Sequence, residues 1–140
     1  MQYTLQIRED ATFHDGSALT VDDVVWTINW QKEAEGTVAG LLSNATFTAG
    51  DGNTLIITLE ETNPDFLFNL TDNKLVILKS GAEGIGEDFN GTGAFILEEY
   101  LPGDRAIFTA NENYWDGAPT ISRLEFLYFD DQQAGISAVQ

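Results

Sequence analysis

His14 is the only histidine in the 140 residues, and there is no cysteine. That leaves no His pair and no thiolate for a zinc site of the usual kind, and no disulfide or Cys nucleophile. Lying between Phe13 and Asp15, just ahead of Gly16, the lone histidine reads as a turn residue whose ring bonds locally. The 23 acidic side chains would permit a two-carboxylate hydrolase, but no spacing among them selects a pair. TAGDGNTL (48–55) lacks the repeated acids and the glutamate at the twelfth position of a calcium loop, and reads as a hairpin turn. Gly81, Gly84 and Gly86 carry no Lys-Ser/Thr after them, and Glu83, Glu87 and Asp88 would repel a phosphate. A serine nucleophile would need a G-x-S-x-G turn and a downstream histidine, and the sequence has neither. The reading is therefore non-enzymatic, with no catalytic residue, no metal and no cofactor. Trp26, Trp30, Tyr114 and Trp115 are of the type that lines ligand clefts, but their places fit packing: the tryptophans in the core, the Tyr-Trp pair as a cap on a hairpin core.

The elements around these residues follow from periodicity. YTLQIRED alternates Tyr3, Leu5 and Ile7 against Thr4, Gln6 and Arg8, as a half-buried strand does. Asp15-Gly16 marks a turn. Thr20 and Asp23 then form a capping-box pair, with Asp22 and Asp23 at the positive end of the helix dipole. Val21, Val24, Val25 and Ile28 give the helix one apolar face, and it is expected to run to about Glu35. Residues 36–44 fit either a loop or a short helix. A hairpin follows around Gly50–Asn53. Asn63 and Pro64 open a short helix that turns Phe66, Leu67 and Leu70 inward, and KLVILK (74–79) reads as a continuous apolar strand. After the Gly-rich stretch come a hairpin around Pro102-Gly103-Asp104, a strand over ISRLEFLYF (121–129), and a helix capped by Asp130 or Asp131.

Composition bounds the function further. Six basic against 23 acidic residues give a net charge of −17, which repels nucleic acid and anionic membranes. The acids are spread along the chain and read as a solubilising surface. No apolar run approaches the roughly 18 residues of a membrane helix. MQYTLQIRED has neither the basic start nor the apolar centre of a signal peptide. The opening strand without a lead-in and the closing helix of barely two turns lead us to expect an internal piece of a longer chain.

Several segments together resemble bacterial and archaeal extracellular solute-binding proteins of the peptide/nickel class, family 5. Their pattern runs roughly Y-T-F-x-L-R-x-x-V-x-F-H-D-G-x-P-L-T-A-D-D-V. Tyr3, Thr4, Leu5, Ile7, Arg8, Phe13, His14, Asp15, Gly16, Leu19, Thr20, Asp22, Asp23 and Val24 fall on it. Gly91-Thr92-Gly93-Ala94-Phe95 matches G-T-G-P-Y apart from its last two residues, and Pro102–Arg105 matches P-G-D-R. Asn113–Pro119, with Tyr114 and Trp115, matches the Tyr-Trp motif, and Asn63-Pro64 with Phe66-Leu67 matches x-N-P-x-F-L.

The resemblance implies an α+β chain with mixed sheets and short helices, a fragment of the two-lobe, type II periplasmic-binding-protein-like fold. Residues 1–80 would belong to the smaller second lobe, 81–93 to a Gly-rich crossing segment, and 94–140 to the first lobe. It implies the substrate-binding subunit of an ABC importer, capturing a small solute, an oligopeptide first, and docking on membrane permease subunits. It also implies a periplasmic or extracellular place, with a lipoprotein anchor on the full-length protein. His14, Asp15, Gly16, Thr20, Asp23, Tyr114 and Trp115 would be structural, and Gly91 and Gly93 hinge residues. Thr37, Leu41 and Asn90 are ligand candidates by location alone. Ala94-Phe95 in place of Pro-Tyr should loosen the crossing backbone. The competing reading is a free-standing acidic α+β module that binds a cation or a protein partner.

Overall fold

A computed structural model describes residues 1–34, 37–83 and 89–129. It divides into two compact units, Met1–Thr92 and Gly93–Gln140.

In the first unit, β1 (Gln2–Gln6), β2 (Ala45–Ala49) and β3 (Thr54–Leu59) form an antiparallel sheet in the order β1-β3-β2. The alternation in β3 sends Leu55, Ile57 and Leu59 to the core, opposite Leu5 on β1 and Phe47 on β2. Helix α1 (Val21–Glu33) lays Val21, Val24 and Ile28 on this sheet, and α2 (Thr37–Leu42) adds Leu42. The capping box at the start of α1 forms: the Asp23 carboxylate accepts from the Thr20 amide at 2.8 Å and from its hydroxyl at 2.7 Å. Trp26 and Trp30 stack on each other with ring centres 6.4 Å apart. They lie beside the core face rather than in it, and Trp30 is exposed.

Two segments depart from the sequence reading. Helix α3 is a single turn, Phe66–Asn69, with Asp65 rather than Asn63 in the capping position. Asn63 instead accepts the Asp65 amide at 3.0 Å in an Asx turn. One turn buries one side only, so Phe66 is fully enclosed, stacked against Tyr3 and tilted on Phe47, while Leu67 is left exposed. Residues 74–79 form no strand. They run along α1 and, with Ser80, bond to a stripe of its buried polar side chains at four-residue spacing. Asp23 accepts from the Ser80 amide at 2.8 Å, Thr27 exchanges two 2.9 Å bonds with Leu78, and Gln31 donates to the carbonyls of Lys74 and Val76. The helix side chains take the place of a neighbouring strand.

In the second unit, β4 (Phe95–Leu101), β5 (Arg105–Ala110) and β6 (Arg123–Leu127) form an antiparallel sheet in that order. Gly103, with φ at +77°, closes the expected β4–β5 turn, and the register slips between Leu97 and Glu99. The register puts Leu97, Tyr100, Ala106, Phe108, Leu124 and Phe126 on one apolar face, where Phe108 and Phe126 meet edge to face at 5.7 Å. The other face carries the Arg105–Glu99 ion pair at 2.9 Å, in which the carboxylate raises the guanidinium pKa. The resemblance leads one to expect mixed sheets; among the described residues every strand pairing is antiparallel, and the short β2–β3 and β4–β5 turns permit nothing else, since a parallel pair needs a long crossover. The helix expected from Asp130 or Asp131 lies outside the described residues.

Candidate functional site

The motif residues Phe13 to Asp23 build a junction. Ala11 to Leu19 fold back on themselves: Phe13 donates to the Ser17 carbonyl at 2.8 Å, and Leu19 to that of Ala11 at 3.0 Å. Gly16 sits at the tip with φ at +84°, a backbone conformation that side chains disfavour.

Asp15 is the centre of this junction. Its Oδ1 accepts from the Ser17 amide at 2.9 Å and hydroxyl at 2.6 Å; its Oδ2 accepts from Lys79 Nζ at 2.6 Å and from the Asn90 amide nitrogen at 3.1 Å. The Lys79 ammonium foremost, then the Ser17 donors, hold this carboxyl well below the usual carboxylate range. In return, the Asp15 amide donates to Asn90 Oδ1 at 3.1 Å. One carboxylate thereby ties together the turn, the segment along α1, and the chain entering the crossing. His14 adds two more ties, donating from its amide to the Gly91 carbonyl at 2.8 Å and accepting the Gly91 amide on Nδ1 at 3.3 Å. The ring bonds locally in space, but to a residue 77 positions away.

Beside the junction lies a cleft of about 250 Å³, lined by Asp15, Lys79, Ser80, Glu83 and Asn90 with Leu78. Among the described residues, Asn90 keeps one amide N–H and one carbonyl lone pair beyond its two bonds to Asp15. Leu41 lies half-buried on α2 and is not among the residues that line this cleft; Thr37 opens the same helix. The structure thus brings Asn90 together with His14 and Asp15, and leaves Thr37 and Leu41 on a separate element. Among the described residues no cluster of His, Asp or Glu is arranged to hold a metal.

Tyr114 and Trp115 tilt against each other at 5.2 Å in the turn that follows β5. The residue that organises this turn is Asn111, which the sequence reading did not single out. It is 4% exposed, donates from Nδ2 to the Gly93 carbonyl at 3.0 Å and accepts the Asn113 amide at 3.0 Å. Its own amide binds the Ala94 carbonyl at 2.9 Å. Lys79 and Thr27 were likewise not singled out. The available signal for Thr27 was the four-residue spacing of Asp23, Thr27 and Gln31.

Comparison with known proteins agrees with these motifs. The family model described as bacterial extracellular solute-binding proteins, family 5 Middle, matches residues 1–140. A putative ABC transporter peptide-binding protein of Brucella ovis is 30% identical over all of this chain and 29% of its own length. The solved structure of MoaA from A. tumefacien R10, in complex with mannopinic acid, superposes with a TM-score of 0.88 at 26% identity, covering 99% of this chain and 30% of that one. NikZ from Campylobacter jejuni, in complex with Ni(L-His), shares the fold with a TM-score of 0.85 at 20% identity, over 99% of this chain and 30% of its own. The chain therefore spans about 30% of the length of the relatives it matches.

Proposed function

The chain belongs to the bacterial extracellular solute-binding proteins of family 5, a family of binding proteins rather than enzymes, and on that premise we propose that it forms part of the substrate-capturing subunit of an ABC importer. The solute is an oligopeptide or a similar small molecule, a choice supported by the peptide-binding description of the Brucella ovis relative. The observation that carries the reading is the family match along the whole of residues 1–140.

In this proposal residues 1–80 belong to the smaller second lobe, 81–93 cross between lobes, and 94–140 belong to the first lobe. The division of the chain after Thr92 supports that partition. Solute binds the closed arrangement of the lobes better than the open one and shifts the balance between them. Gly91 and Gly93 serve as hinge residues, and Asn90, Thr37 and Leu41 face the solute. The subunit catalyses nothing. It works outside the cytoplasmic membrane, held by a lipid anchor, and delivers its cargo to permease subunits.

Extending the reading frame on both sides tests this. A frame running upstream to a signal peptide with a lipid-attachment cysteine, and downstream for several hundred residues, is the expected result. Stop codons bracketing these residues would overturn the importer role.

A further inference from the structure

The chain leaves its first unit through Gly91-Thr92-Gly93, and the hydrogen bonds fall unevenly on these three residues. Gly91 is held on both backbone groups by His14, its carbonyl by the His14 amide at 2.8 Å and its amide by Nδ1 at 3.3 Å. Asn90, just before it, is bound through both ends of its side-chain amide to Asp15. On the far side, Asn111 holds the Gly93 carbonyl at 3.0 Å and the Ala94 carbonyl at 2.9 Å. Asn111 is almost wholly buried, so these bonds are shielded from water, which would otherwise compete for them. Thr92, between the two anchors, makes no hydrogen bond among the described residues. Each anchor lies within its own unit: His14 and Asp15 with Asn90 and Gly91, Asn111 with Gly93 and Ala94.

We propose that His14 and Asn111 are positioning residues that pin the two ends of the crossing, at the Gly91 and Gly93 carbonyls, and confine its backbone movement to the Thr92 and Gly93 dihedrals between them. The anchors rest on the geometry of this chain; their use in solute capture rests on the solute-binding reading above. Neither Gly91 nor Gly93 has a positive φ, so the conformation seen does not require glycine at either position. Among the described residues, a Cβ on Gly93 would meet nothing within 4 Å, and one on Gly91 would make only an ordinary 3.6 Å contact with His14 Cε1. Packing does not demand these glycines either. Of the two glycines, Gly93 is the one whose dihedrals lie between the anchored carbonyls, and glycine there gives the range a pivot needs. The confinement follows from the bonding: a residue tied on both backbone groups turns only when those bonds break, whereas an untied residue turns at little cost.

Amide hydrogen exchange on the full-length protein, read residue by residue by NMR, tests the proposal. In the wild type, the Gly91 and Asn111 amides should exchange at least tenfold more slowly than that of Thr92. His14→Ala should release the Gly91 amide by a similar factor and leave Asn111 and the core strand residue Ile57 unchanged. Asn111→Ala should release the Asn113 amide and leave Gly91 slow. Equal exchange at Gly91 and Thr92 in the wild type would overturn the proposal without any variant, and so would an unchanged Gly91 in a folded His14→Ala. Failure of these patterns removes the anchors whatever the protein binds. Failure of the full-length protein to bind a solute removes the importer reading and leaves the anchors in place.

Discussion

Both carboxylate oxygens of Asp15 accept two hydrogen bonds, and this explains why a turn residue carries so much of the first unit. Its pKa in the fold lies below the unfolded value of about 3.9, so the group stabilises the folded state above that value. The stabilisation fades as pH falls through the lowered folded pKa. The side chain is 40% exposed, so solvent screens the pair with Lys79, and the ion pair itself contributes at most about 1 kcal/mol. Asp15→Asn should lower the thermal midpoint by a constant amount above about pH 5, with the difference shrinking steadily below about pH 4. A difference as large at pH 2.5 as at pH 7 would show that charge at Asp15 is irrelevant. The Asp15-Gly16 turn was legible because a positive φ selects glycine locally. Lys79 and Asn90 were not, since they lie 64 and 75 positions away and only the fold brings them to the carboxylate.

Among the elements, α1 was legible at its start, where the Thr20–Asp23 box is a local device, and on its apolar face. Its second role was not. KLVILK has the composition of a strand, and the periodicity of a short apolar run does not say which element will satisfy its backbone. The buried stripe Asp23, Thr27 and Gln31 does so here, and Thr27 is wholly enclosed. Thr27→Val keeps the shape but leaves the Leu78 amide without its partner, which should cost about 1–3 kcal/mol in chemical denaturation. A loss below about 0.5 kcal/mol would mean water replaces the hydroxyl. Phe66 is the plug between α3 and the sheet, and Phe66→Ala should cost about 3–5 kcal/mol by the same measurement. A near-neutral effect there would show that α3 is not part of the cooperative unit.

For the molecule as a whole, the motifs made family and fold readable, because they sit at turns, caps and junctions where few residue types work. The solute was not readable, since the chain spans about 30% of its relatives' length and its junction is bonded mainly to itself. Tyr100, Phe126, Leu127, Tyr128 and Phe129 are exposed on or beside the second sheet. Apolar surface of that kind associates. The isolated chain should therefore show concentration-dependent association by sedimentation, weakened by Phe126→Ser; a strict monomer at every concentration would contradict this. The central claim is solute capture, and native mass spectrometry of the full-length protein tests it most directly. The account predicts a small solute released from the purified protein, and a mass shift when the emptied protein meets a peptide pool. No bound solute, and no shift with peptides up to about 1 mM, a limit equivalent to roughly −4 kcal/mol of binding, would contradict it.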